Sequence, residues 1–120
     1  MIDSPGLTLA GTGGTKHKVG KPPLDLLSSH ALLEMAKVMG WGITEKIPTY
    51  APHNWRKGVP WSDLYAATLR HLLSWNSRED NAIDSNLPHL AHALCNLMML
   101  MEYAETHPEL DDRYKKGNHQ

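Results

Sequence analysis

The stretch NLPHLAHALCNLMML, residues 86–100, decides the fold. Leu90, Leu94, Leu97 and, just beyond, Met101 recur at steps of three and four, the period of one helical face. Pro88 suits the first turn of such a helix, where its missing N–H costs nothing. The spacing predicts a helix to about residue 104 with those four side chains as its main apolar stripe. On the same helix His89, His92 and Asn96 fall at i, i+3 and i+7, so all three point roughly the same way. A buried polar group left unpaired costs roughly 1–3 kcal/mol. Two imidazoles and an amide on an apolar helix therefore imply a shared partner.

Two more helices are expected upstream. Pro22 and Pro23 keep the chain extended. Ser28 or Ser29 can then cap a helix over about 29–41, with Leu32, Met35, Ala36 and Met39 as its buried stripe and Gly40 and Gly42 ending or bending it. His30, Glu34, Lys37 and Trp41 form a neighbouring line. Ser62 is expected to cap the next helix, with Asp63 in its first turn, running through Trp75. Leu64, Thr68, His71 and Trp75 share one of its faces, and Tyr65, Leu69 and Leu72 share the adjacent one. No strand signal, repeat or long heptad run is present. The fold class expected is all-α, a compact bundle of about three core helices.

Length and composition set the frame. The chain has 120 residues, enough for one domain with a modest core that would gain from pairing with copies of itself. A net charge of −1 gives no reason to expect a nucleic acid polymer or an anionic membrane as partner. The 8 histidines are the unusual feature, since imidazole is a common metal ligand. The single Cys95 cannot form an internal disulfide, which suits a reducing cytoplasm. No apolar run is long enough to span a bilayer, and no secretion signal is visible. Residues 1–20, rich in Gly and Thr, read as a flexible arm. Residues 21–105 read as the folded domain, and 106–120 as a polar tail that frays apart from a short turn at PELDDRY.

Several groups outside the last helix carry chemistry. SREDNAIDSN supplies Glu79, Asp80 and Asp84, hard oxygen donors of the kind Mg²⁺ takes one or two of. His71, midway along an apolar face, can join His89 and His92. The long connection 42–60 holds HNWRKG, in which Arg56 and Lys57 offer cations for phosphates and Trp55 or Tyr50 a flat ring for a base. Lys21 lies beside the arm. No Walker-type loop or nucleophile elbow is present.

The succession GKPPLDLL, ALLEMAKVMGWG, NWRKG, LYAATLRHLLSW, ED and LPHLAHALCNL resembles the phage-associated dATP/dGTP diphosphohydrolases. These form a divergent branch of the MazG-like all-α nucleoside triphosphate pyrophosphohydrolases. The resemblance covers about residues 20–104. It implies a MazG-like helical bundle completed as a homodimer or homotetramer. It implies hydrolysis of a purine deoxynucleoside triphosphate to the monophosphate and pyrophosphate with Mg²⁺, or Mn²⁺, in a host cytoplasm. Glu34, Glu79 and Asp80 would hold the metal, and Glu34 and His89 would serve catalysis. Lys21, Asn54, Trp55, Lys57, His71, His92 and Asn96 would bind the nucleotide. Where this branch often carries further glutamates on the first helix, this chain has His30 and Leu33. Loss of those carboxylates favours a rival reading, a nucleotide-binding or assembly module that has lost the chemistry. A third reading, a His/Asp phosphohydrolase, would need an adjacent His-Asp dipeptide that is missing here.

Overall fold

In a computed structural model, residues 19–117 are described. The expected arm falls mostly on residues outside that range. Three helices carry the described part: α1 at Ser29–Thr44, α2 at Trp61–Asn76 and α3 at His89–Thr106. Short 3₁₀ turns lie at Leu24–Leu26, Asn54–Lys57 and Pro108–Leu110. No strand occurs among the described residues, so the all-α expectation holds.

Ser28 caps α1 by accepting the Ala31 N–H at 3.1 Å. The helix runs three residues past the expected end and contains both Gly40 and Gly42. Neither glycine takes a positive φ. The end comes instead where the Glu45 and Lys46 N–H groups both close on the Trp41 carbonyl at 2.9 Å. α2 is not capped by Ser62. Pro60 precedes its first residue, and the Ser62 side chain and N–H are given to Asp112 in the tail. α3 begins just after Pro88 rather than containing it.

α3 lies against both other helices. Cys95 donates its thiol to the Met35 carbonyl at 3.4 Å, and Trp41 meets His92, so α1 and α3 run antiparallel. Val38, Ala91 and Cys95 form the buried centre, with Met35, Met39 and Leu87 packed around them. Small residues at Ala91, Ala93 and Cys95 let the helices approach closely. Burial pushes the Cys95 thiol up to about 11, so it stays protonated.

Three expected stripes are displaced. On α1 Val38 is buried while Leu32 is 49% exposed and Ala36 lies at the surface. On α3 Leu90, Leu94, Leu97 and Met101 all face outward, and the inward line is His89, His92, Cys95 and Tyr103. On α2 the face shared by Leu64, Thr68, His71 and Trp75 is buried at Leu64 and Thr68, while Trp75 is exposed. The physical reason is that α3 turns its small and polar line, not its leucines, to its neighbours in the chain.

The far end of α3 holds the long connection. Tyr103, 1% exposed, donates its hydroxyl to the Trp55 carbonyl, and Arg56 pairs with Glu102. His107 donates to the Arg56 carbonyl at 2.8 Å and pairs with Glu109. Gly58, at φ 95°, sits where a side chain would strike Leu110 and His107. The tail does not simply fray. Besides the Asp112 bonds to Ser62, Arg113 lies over the Trp61 ring, 5.1 Å from its centre. Replacing Tyr103 with Phe removes one hydrogen bond from this anchor. Chemical denaturation should show a loss of about 1 kcal/mol with the helical signal unchanged.

Candidate active site

The loop joining α2 to α3 is folded back on itself. The Ala82 N–H bonds the Leu87 carbonyl at 2.9 Å, and the Asn86 N–H bonds the Ala82 carbonyl at 2.8 Å. Asn86 takes a left-handed φ of 57°, which asparagine tolerates. Ala82 is buried beneath this turn. The His89 N–H, at the start of α3, then bonds the Asp80 carbonyl at 2.9 Å. These backbone bonds bring Glu79 and Ser85 over the first turn of α3.

Three imidazoles meet there. His89 Nε2 lies 2.6 Å from Glu79 Oε1, and His89 Nδ1 lies 2.8 Å from His71 Nδ1. The carboxylate accepts, so His89 donates from Nε2. Its Nδ1 then accepts the Nδ1–H of His71 when both rings are neutral. That assignment leaves a lone pair on His71 Nε2, which has no hydrogen-bond partner among the described residues. The His71 ring also stacks on His92, with centroids 4.6 Å apart and planes 9° from parallel. His92 Nε2 lies 2.7 Å from Ser85 Oγ, which accepts the Leu87 N–H at 3.1 Å. Ser85 Oγ thus links the His92 ring to the Leu87 backbone.

Burial sets the charge of this group. Burial pulls the His92 pKa down to about 4, and the neighbouring His71 pulls the same way. Burial likewise lowers His71, helped by His89 and opposed by Asp84. Both rings are pulled below the ordinary 6.5, so the stacked pair is neutral at pH 7.

The structure gathers some of the expected residues and separates others. His71, His89, His92 and Glu79 come together, with Asp80 adjoining Glu79 at the surface. Asn96 lies half-buried one turn beyond His92 on the same helix. Glu34 instead pairs with Lys37 at 2.7 Å and takes no hydrogen bond from the cluster. Asn54, Trp55 and Lys57 sit in the 3₁₀ turn at the opposite end of α3, where the Trp55 ring lies 6.3 Å from Tyr103. Lys21 is exposed ahead of the first turn. Ser85 and the contact of Trp41 with His92 carried no sequence signal. Both depend on how a loop and a helix end fold over α3.

Among the described residues no three His, Cys, Asp or Glu side chains form a ready ligand shell for a metal. Mg²⁺ asks for less, one or two carboxylates with waters and substrate phosphates completing its shell. The neighbouring carboxylates of Glu79 and Asp80 fit that smaller demand.

Residues 11–113 match the family model described as dATP/dGTP diphosphohydrolase, N-terminal. The chain belongs to this family. It is also similar to a dATP/dGTP diphosphohydrolase of Salmonella phage PMBT28, with 32% identity over 100 residues. That match covers 83% of this chain but 33% of the relative, so the chain spans about a third of the length of the relative it matches. No solved structure matches it. Among the described residues no helix is long and apolar enough to cross a membrane.

In this member of the diphosphohydrolase family the buried neutral imidazoles make stability depend on acid. The folded His92 sits at about 4 against an ordinary 6.5. Its contribution is full above 6.5 and is lost as pH falls toward 4, because the unfolded chain binds the proton first. Thermal melts should therefore fall across that window, and His92→Asn should flatten the slope.

Proposed function

We propose that this chain hydrolyses purine deoxynucleoside triphosphates, dATP or dGTP, to the monophosphate and pyrophosphate with a divalent metal. The observation that carries the reading is the hydrogen-bonded chain Glu79–His89–His71, with Asp80 next to Glu79 in sequence, in a member of this family. Phosphoryl transfer asks the protein for charge neutralisation and an aligned water. A bound Mg²⁺, held by Glu79 and Asp80, would supply charge neutralisation and make water more acidic.

The side chains then supply the proton path. Both nitrogens of His89 are engaged, so it does not take a proton from water directly. His71 Nε2 is the open end. When it accepts a proton from the attacking water, His71 passes its Nδ1 proton to His89 Nδ1. The positive charge ends on His89, beside the Glu79 carboxylate. His92 stacks on His71 and holds its plane, and Asn96 lies next along the same line.

The assay incubates the protein with each deoxynucleoside triphosphate and Mg²⁺ and identifies the products. Pyrophosphate with monophosphate is expected. Inorganic phosphate alone, or no product, sinks the reading. Glu79→Gln should lower kcat on the order of 100-fold, the scale of general-base assistance, with helicity intact. Glu34→Gln, in the same assay, should lose Mg²⁺-dependent turnover if Glu34 is a donor to the metal. Unchanged turnover removes Glu34 from the ligand set.

Assembly as a homo-oligomer is part of the same proposal. Leu90, Leu94 and Leu97 are 42%, 39% and 45% exposed, and Met101 78%. Tyr65, Leu69 and Leu72 are exposed on α2, and Tyr65 and Met101 line one cavity of about 590 Å³. An apolar face of this kind marks an interaction surface. Tyr103 takes no part, since it is buried within its own chain. Sedimentation should show a dimer or tetramer that Leu94→Glu together with Leu97→Glu converts to monomer.

A further inference from the structure

The end of α1 and the segment after it build a wall beside the imidazoles that the scheme above does not use. Trp41 meets His92 at 5.7 Å between ring centres, with the planes 85° apart. The Lys46 ammonium lies 5.0 Å from the Trp41 ring centre and 5.9 Å from that of Tyr50. The backbone fixes this arrangement. The Lys46 N–H bonds the Trp41 carbonyl, and the Tyr50 N–H bonds the Gly42 carbonyl, each at 2.9 Å.

Three other cations of the described residues are committed elsewhere. Lys37 is tied to Glu34, Arg56 to Glu102 and Arg113 to Asp111. Among the described residues no carboxylate lies within ion-pair distance of Lys46. Its charge reaches the cluster, being one of the influences that keep His92 neutral. Arg70 also acts on His71, but it is the preceding residue on α2 and projects about 100° away, onto the exposed side. Lys57, expected to meet phosphates, lies at the opposite end of α3.

A triphosphate is strongly anionic, and the loop carries Glu79, Asp80 and Asp84. Such an entrance repels the substrate unless fixed cations oppose it. The geometry points to Lys46 as a phosphate-binding side chain of this site, its ammonium held by Trp41 and Tyr50 where a triphosphate over the imidazoles would meet it. This assignment rests on the nucleotide reading above. The ring contacts are weak enough for the ammonium to turn from one ring to an anion without leaving the other. A charge-assisted bond to phosphate is the stronger interaction.

The test uses the full chain and inorganic tripolyphosphate as probe, read by titration calorimetry. Lys46→Met should weaken tripolyphosphate binding on the order of tenfold, the scale of one lost charge-assisted contact. Lys46→Arg should stay within about threefold of the parent, since it keeps the charge. In turnover, Lys46→Met should raise KM for the triphosphate and leave kcat nearly unchanged. Lys46→Gln serves the same purpose if the Met variant does not fold. Equal binding by the folded Met or Gln variant and the parent overturns the assignment, as does a parent that does not bind tripolyphosphate. A parent that binds the probe with Lys46-dependent affinity but releases no pyrophosphate overturns the reaction instead.

Discussion

The structure turns on one electrostatic constraint: two stacked imidazoles, His71 and His92, share a small half-buried space and stay uncharged there. His71 bonds His89 through Nδ1 while stacking on His92. A second proton in that stack would place two cations a few ångströms apart in a poorly solvated site. The contact therefore works only with defined tautomers, and those tautomers order the whole group. Glu79 fixes the proton on His89 Nε2, His89 fixes the proton on His71 Nδ1, and the open lone pair is left at His71 Nε2. The contacts that join α2 to the first half of α3 thus also leave open the one basic nitrogen that the proposed reaction would use.

α3 separates two tasks along its length. From His89 to Tyr103 is 14 residues, about 21 Å of helix. At its start the helix carries the imidazoles and receives the loop with Glu79 and Ser85. At its other end Tyr103, Glu102 and His107 hold the Asn54–Lys57 turn. His107 is raised above its ordinary pKa by the Arg56 carbonyl and then by Glu109. Its grip is therefore firmest below 6.5 and loosens as pH rises through the higher folded value. The acid response of the two ends is opposite in sign, so lowering the pH strains the site while the distal anchor holds.

The elements were legible in the sequence because helix periodicity is a local signal. All three helices stand where the three- and four-residue spacing puts them, and the alignment of His89, His92 and Asn96 was readable from i, i+3 and i+7. Which face turns inward was not legible. Hydropathy favours Leu90, Leu94 and Leu97, and nothing in the order of residues says that Ala91 and Cys95 let α1 approach on the other side. Convergence across a loop was only partly legible. Glu79 lies ten residues before His89, and their meeting depends on the turn at Asn86 and the Asp80 carbonyl. Trp55 and Lys57 look like ligand-binding chemistry in sequence. Their place is set instead by Tyr103, 48 residues from Trp55, and by Glu102, 46 residues from Arg56 between them.

An outer face of leucines with an inner face of imidazoles inverts the usual arrangement of a small bundle. Burying the leucines inside would have left the histidines in water, each with an ordinary pKa and a mobile ring. Burying the histidines needs their hydrogen-bond partners inside as well, and Glu79, Ser85 and His71 meet that need within one chain. The leucines need no specific partner, only exclusion from water. They can therefore be satisfied by any complementary apolar surface, a second copy in the assembly proposed above. The directional interactions are kept inside the chain and the non-directional one is left at its surface, so the imidazole cluster can form before the outer face is covered.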